Sequence, residues 1–234
     1  MTTSRQAIMD RIAAACAKQR NVDDATRRAE LAARLKAHDA NLIPQRGQLD
    51  LKGRIDLFAA MAGEAAASVS RVARAEGVPH AIADFLAKEN LPASFVMAPD
   101  ARLDEIPWRL RPMLQFRHGT AEADDAVSVT GAFLGVAETG TLMLESGESS
   151  PTKLNFMPDT HVVVLWSSQI VGAFEEGWAK LRASHATPDG GFVMPRNVNF
   201  ITGPSRSADI EQTLQLGAHG PRRLHIVIVD ETLG

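Results

Sequence analysis

Cysteine is almost missing from this chain: Cys16 stands alone among 234 residues. A single thiol excludes an internal disulfide, and it excludes a four-thiolate zinc or iron–sulfur site built by this chain alone. Long apolar runs are missing too. The strongest, His161–Trp166, falls far short of the roughly 20 residues that cross a bilayer. The N-terminus, Met1 to Arg5 and onward, lacks the basic, apolar and small-residue segments of a secretory signal, so the expected compartment is the cytoplasm. No surplus of one charge is present, since the formal net charge is -3, and the basic footprint of a nucleic-acid binder is therefore absent. The seven histidines form no HxH or HxxxH pair, so no metal site is expected. Neither a phosphate-binding GxxxxGK[ST] loop, a GxGxxG turn nor a GxSxG nucleophile elbow occurs.

What remains is an ordinary folding composition, 45% hydrophobic and 23% charged, in a chain long enough for one large domain with an appendage. Residues Ser4 to Leu35 are rich in Ala and Arg, with Ile8, Ile12, Ala15 and Cys16 at helical spacing, and read as two helices. A connector with Pro44 and Gly47 follows. Ile55, Phe58, Met61, Ala65, Ala66, Val69 and Val72 then predict a long third helix ending at Gly77.

Beyond Gly77 the pattern alternates. A helix is expected over Pro79–Lys88 and strands over Ser94–Ala98, Val127–Thr130, Thr141–Leu144, His161–Leu165, Asn199–Ile201 and Leu224–Val229. Further helices are expected over Gln169–Arg182 and Ser207–Leu216. Such alternation predicts an α/β fold with a mostly parallel sheet covered by helices. The division expected is an N-terminal helical extension over residues 1–52 and an α/β domain over 53–234.

Three constellations carry candidate chemistry. In Glu138–Thr139–Gly140–Thr141 a glycine permits a tight turn, so two hydroxyls and nearby amides can face one anionic oxygen, with Glu138 alongside as acid, base or nucleophile. The competing reading is a β-turn whose threonines satisfy the backbone. In Thr202–Gly203–Pro204–Ser205–Arg206–Ser207–Ala208–Asp209 the serines and Arg206 suit an anion, whereas the alternative is a capped helix start with Asp209 in its first turn. In Gly217–Ala218–His219–Gly220–Pro221 a histidine between glycines either exchanges protons near neutral pH or only completes a turn. Lys153, in the loop Ser149 to Asn155, is a further cation that completes a polar pocket or points into solvent.

Ala137 to Leu144, Pro158 to Val164, Ile201 to Glu211 and Gly217 to Pro221, in this order and spacing, resemble the lactate-utilisation protein C family of LUD-domain proteins. The resemblance covers about Val127 to Asp230. It implies a fold similar to those of ribose-phosphate isomerase, glucosamine-phosphate isomerase and coenzyme A transferases, with the ligand at loops that follow the sheet strands. It also implies work with two partner proteins, one Cys-rich and one bearing iron–sulfur motifs, in oxidising L-lactate to pyruvate. Clusters are then expected on those partners and no cofactor in this chain, with a small anionic metabolite as ligand. On this reading Glu138, Asp209 and His219 are candidate catalytic groups, and Thr139, Gly140, Thr141, Lys153, Ser205 and Arg206 candidate binding groups. Two alternatives stay open: a stand-alone isomerase or acyl-transferase acting on a sugar phosphate or a thioester, and a non-catalytic adaptor docked by its N-terminal helices. Whether the chain is itself an enzyme is left undecided at this point.

Overall fold

The computed structural model describes residues 4–18, 24–208 and 214–231. The chain divides into two compact units, Met1–Leu42 and Ile43–Gly234. The first contains α1 (Ser4–Lys18) and α2 (Asp24–Ala37). Apolar side chains of these helices, among them Ile8, Met9, Ile12, Leu31 and Leu35, are exposed. Isolated helices of this length are marginal in water, because nucleation is costly and most helical stability comes from packing.

The second unit begins with α3 (Leu51–Glu64), α4 (Val78–Lys88), the single turn α5 (Ala101–Asp104) and α6 (Phe174–Ser184) as its helices. Its strands are β1 (Ser68–Val72), β2 (Ser94–Met97), β3 (Gln115–His118), β4 (Val127–Gly131), β5 (Leu134–Val136), β6 (Thr141–Glu145), β7 (Thr160–Trp166), β8 (Ile170–Val171), β9 (Val198–Ile201), β10 (Arg206–Ala208), β11 (Leu214–Leu216) and β12 (Arg223–Val229). The expected boundary after residue 52 falls inside α3.

Six strands form a parallel sheet in the order β1-β12-β7-β4-β2-β3. Its central strands are covered on both faces, which is why β7 is buried along its whole length and β12 over all but its first residue, and why both read as continuous apolar runs. On one face α4 lays Val78, Ile82, Phe85 and Leu86, spaced to share one helical stripe, against Val129, Val162 and Val227. On the other face Ile55, Phe58 and Ala62 of α3 meet Val163, Ile226 and Ile228. A second, mixed sheet, ordered β8-β5-β6-β9, completes that layer. Its strand alternation is visible in β6: Leu142 and Leu144 face the parallel sheet, while Met143 faces Leu181 of α6.

The third helix stops earlier than its apolar spacing predicts. Asp50 caps its start by accepting from Gly53 N at 2.8 Å. At its end Ala66 takes a left-handed φ of 68°, with Ala67 N donating to Ala62 O and Ala66 N to Gly63 O. These two bonds are the Schellman pattern that satisfies the last helical carbonyls. Val69 and Val72 therefore belong to strand β1 rather than to the helix. Two other expected helices are corrected as well. Residue Ile170 lies in β8 and the following helix begins at Phe174, while Arg206–Ala208 and Leu214–Leu216 pair as an antiparallel hairpin. Asp209 and Glu211, placed in a first helical turn by the sequence, lie outside the described residues.

Candidate functional site

The two glycine turns singled out in the sequence meet at the C-terminal end of α3. Gly140 has φ +63, and a Cβ on it would sit 2.2 Å from Ala62 N. Gly203 has φ +71, and a Cβ there would sit 2.0 Å from Ala65 O. Both positions demand glycine twice over, through backbone conformation and through the backbone they press against. The Thr139 and Thr141 hydroxyls share a hydrogen bond of 2.7 Å, and Thr141 shares a second, also 2.7 Å, with Thr202. Pairing of β6 with β9, which sets Leu142 opposite Ile201, brings these three hydroxyls together. Arg206 completes the junction by donating from Nη2 to Ala65 O at 2.5 Å, so it closes the end of α3 as basic groups do at helix C-termini.

Beside this junction lies a cavity of about 440 Å³, walled by Phe156, Phe200, Ile201 to Arg206, His219 to Pro221 and Leu224, and reaching Asn155 and His161. Of the predicted residues it gathers Ser205, Arg206 and His219. Ser205 organises the wall: its N donates to Pro221 O at 2.8 Å, its O accepts from Gly217 N at 3.0 Å, and its hydroxyl accepts from His219 N at 3.4 Å. Thr139 and Thr141 touch the cavity only through Thr202, which lines it.

Glu138 is turned elsewhere. It is 5% exposed, and its Oε1 accepts from Phe174 N at 2.9 Å, the first residue of α6. A carboxylate there satisfies a free amide at the positive end of the helix. Lys153 sits exposed on a short turn, Thr152–Asn155, outside the lining of the cavity. Asp209 lies outside the described residues.

Sequence reasoning missed the floor. His161, the second residue of β7, is fully buried; its Nε2 hydrogen bonds the Thr130 hydroxyl at 2.8 Å and its Nδ1 has no partner. Burial lowers its pKa from 6.5 to about 3, so the ring is neutral at physiological pH. Asn155, 1% exposed, likewise leaves Oδ1 without a partner. Unpaired polar atoms at such depth are rare and costly, about 1–3 kcal/mol each. Both residues belong to the lining of the cavity, and the two unpaired atoms are themselves closed off from solvent. The available sequence signal was a polar pair, Asn155 and His161, flanking the start of an otherwise apolar strand.

The cavity opens at the N-terminal ends of β7 and β12, where His161 and Leu224 lie, and not at the loops that follow the strands. Those loops enclose another depression, about 340 Å³, with Asp100, Arg102, Glu145 and Gln169 on its walls. Its polar groups are engaged internally: Asp100 accepts from Arg102 N, Gln169 bonds Trp166 N and Ala132 O, and Glu145 bonds His185. Arg102 lies 4.1 Å over the Trp166 ring. Of these two cavities, only the first has residues with unpaired buried atoms in its lining. Among the described residues no group of three or more His, Cys, Asp or Glu side chains is placed to hold a metal ion.

Residues 55–229 match the family model of the LUD domain. A lactate utilization protein C from Geobacillus sp. (strain WCH70) is 35% identical over 105 residues, 45% of this chain and 42% of that protein. Another, from Bacillus subtilis (strain 168), is 32% identical over 105 residues, 45% of this chain and 42% of that protein. A Neisseria meningitidis serogroup B protein is 39% identical over 100 residues, 43% of this chain and 40% of its own length. The matches thus span less than half of each relative. A DUF162 family protein from Deinococcus radiodurans shares the fold, with a TM-score of 0.57 and 24% identity over 77% of this chain and 99% of that one.

Proposed function

This chain belongs to the LUD domain family, and on that premise we propose that it is a cytoplasmic component of L-lactate utilisation. In this role it serves the oxidation of L-lactate to pyruvate beside iron–sulfur and Cys-rich partner proteins, and it holds a small anionic metabolite in the cavity next to Arg206. The observation that carries the reading is the kinship with proteins named lactate utilization protein C. One cysteine cannot ligate a four-thiolate cluster, which supports placing the electron carriers on partner proteins. Among the described residues no helix is long and apolar enough to cross a membrane, in keeping with that placement.

The position of Glu138 favours a subunit over a stand-alone isomerase or transferase. Of the two carboxylates that such an enzyme could use, Glu138 is committed to the start of α6 and lies outside the cavity lining, while Asp209 lies outside the described residues. The test is complementation of a bacterium deleted only for its lactate utilization protein C. Expression of this chain restores growth on L-lactate, and partner proteins with iron–sulfur motifs co-purify with it. Failure to restore growth while the chain accumulates in folded form would refute the proposal.

A further inference from the structure

The cavity beside Arg206 stands apart by its charge. Among its described lining residues Arg206 is the only permanent charge, and no Asp or Glu accompanies it. Depressions elsewhere on this chain of net charge -3 are lined by acids: Asp124 and Asp125 beside β3, Asp84 and Glu89 beside β1, Asp100 and Glu145 at the strand ends. An anion is therefore drawn to this cavity in preference to those. The guanidinium is also held in place for it. One of its five N–H donors is spent on Ala65 O, which fixes the group before a ligand arrives.

Apart from the His219 ring, the rest of the lining offers little to a polar ligand. The Ser205 hydroxyl accepts from His219 N, and the Thr202 hydroxyl is bonded to that of Thr141. Asn155 and His161 are 1% and 0% exposed, and their unpaired atoms are closed off. What faces the space is apolar, chiefly Phe156, Phe200, Pro204 and Pro221, with both phenylalanines 39% exposed. The Phe200 ring is steadied by those of Phe174 and Trp178, each 5.4 Å away. A second charge on the ligand, or a row of hydroxyls, would lose its water against these walls without a partner. A hydrocarbon body gains by covering them. The volume of about 440 Å³ lies within the range, about 300–1,000 Å³, of pockets that enclose drug-sized ligands, and a three-carbon acid would leave most of it to water.

We infer that the cavity binds an apolar monocarboxylate, an aromatic or medium-chain acid, with its carboxylate at Arg206 and its hydrocarbon body against Phe156 and Phe200. The inference rests on the reading that this cavity holds an anion, and it is independent of the pathway in which the chain serves.

The test titrates the full chain calorimetrically with acetate, hexanoate and phenylacetate, and with phenylacetamide as the uncharged counterpart. At least one of the two apolar acids binds about fivefold or more tighter than acetate, as covering the exposed rings predicts. Phenylacetate binds about fivefold or more tighter than its amide, because only the acid makes a charge-assisted bond to Arg206. Arg206→Gln, checked for unchanged thermal unfolding, removes the preference for acid over amide, and Phe156→Ala weakens phenylacetate by about threefold or more. Independently of any variant, the ring current of bound phenylacetate moves the methyl resonances of Ile201 and Leu224, which line the cavity. Three results overturn the inference: neither apolar acid binding below about 10 mM, a gain of less than about fivefold over acetate or over the amide, or unmoved Ile201 and Leu224 methyl groups at saturation. Saturable binding of L-lactate without binding of either apolar acid would sink this inference and leave the anion site standing. Apolar-acid binding without rescue of growth on lactate would sink the pathway reading and leave this site standing.

Discussion

Replacing His161 by Gln should flatten the dependence of stability on acid. In the folded protein burial holds the His161 pKa down from 6.5 to about 3; in the unfolded chain it returns to the ordinary value. The unfolded state therefore binds the proton first as pH falls, and the folded state loses relative stability from about pH 6.5 downward, at up to about 1.4 kcal/mol per pH unit. Between about pH 7.5 and about pH 5 this one residue accounts for about 2 kcal/mol of lost stability. Urea unfolding of the wild type and of His161→Gln, each at both pH values, isolates the term: the variant starts less stable but loses about 2 kcal/mol less on acidification. His225, lowered to about 4 by burial and by the charge of Lys88, behaves alike over that interval, so His161→Gln keeps the part of the slope that His225 contributes. Identical acid slopes for wild type and His161→Gln would refute a neutral, desolvated ring under the cavity.

Five further substitutions probe the junction and the start of α6. Gly140→Ala and Gly203→Ala each put a Cβ within 2.2 Å or 2.0 Å of α3 backbone atoms at a positive φ, and chemical unfolding should show a loss of about 2–4 kcal/mol for each. Glu138→Ala should cost about 1–2 kcal/mol by uncapping α6, and Glu138→Gln, which keeps an acceptor for Phe174 N, about 0.5 kcal/mol; a Glu138→Gln variant of unchanged stability that abolished growth on lactate would instead put this carboxylate in the chemistry. Thr202→Val, which removes the last hydroxyl of the Thr139–Thr141–Thr202 chain, should lower stability by about 1 kcal/mol in the same assay.

The parts of the fold that could be read from sequence are those whose burial leaves a local signature. Strands β7 and β12 lie under helices or sheet on both faces and show as apolar runs, and α4 shows its stripe of Val78, Ile82, Phe85 and Leu86. Where two patterns overlap, local reading fails. Ala65 to Ala67 are good helix formers, and Val69 and Val72 keep the helical spacing, yet the chain turns left-handed at Ala66 and enters β1; only the packing of Gly140 and Gly203 against that end of α3 explains the stop. Strand β3 is exposed throughout at the sheet edge, so no alternation betrays it. Ser205 and the acidic residues beyond it imitate a helix cap, but Arg206–Ala208 finds a cross-strand partner in Leu214–Leu216.

The site divides along the same line. Ser205, Arg206 and His219 were legible because glycines and prolines mark their turns, and the structure assembles them on one wall. Asn155 and His161 were not, because nothing along the chain shows that the two are buried together beside that wall. Depth is a tertiary property, and no spacing along the chain encodes it.

The most direct test joins the site to the pathway: growth on L-lactate of a strain lacking its own lactate utilization protein C and carrying either the wild-type chain or Arg206→Gln at equal abundance. The account predicts growth with the wild type, little or none with Arg206→Gln, and equal growth of both on glucose. Equal growth of the two strains on L-lactate would contradict it.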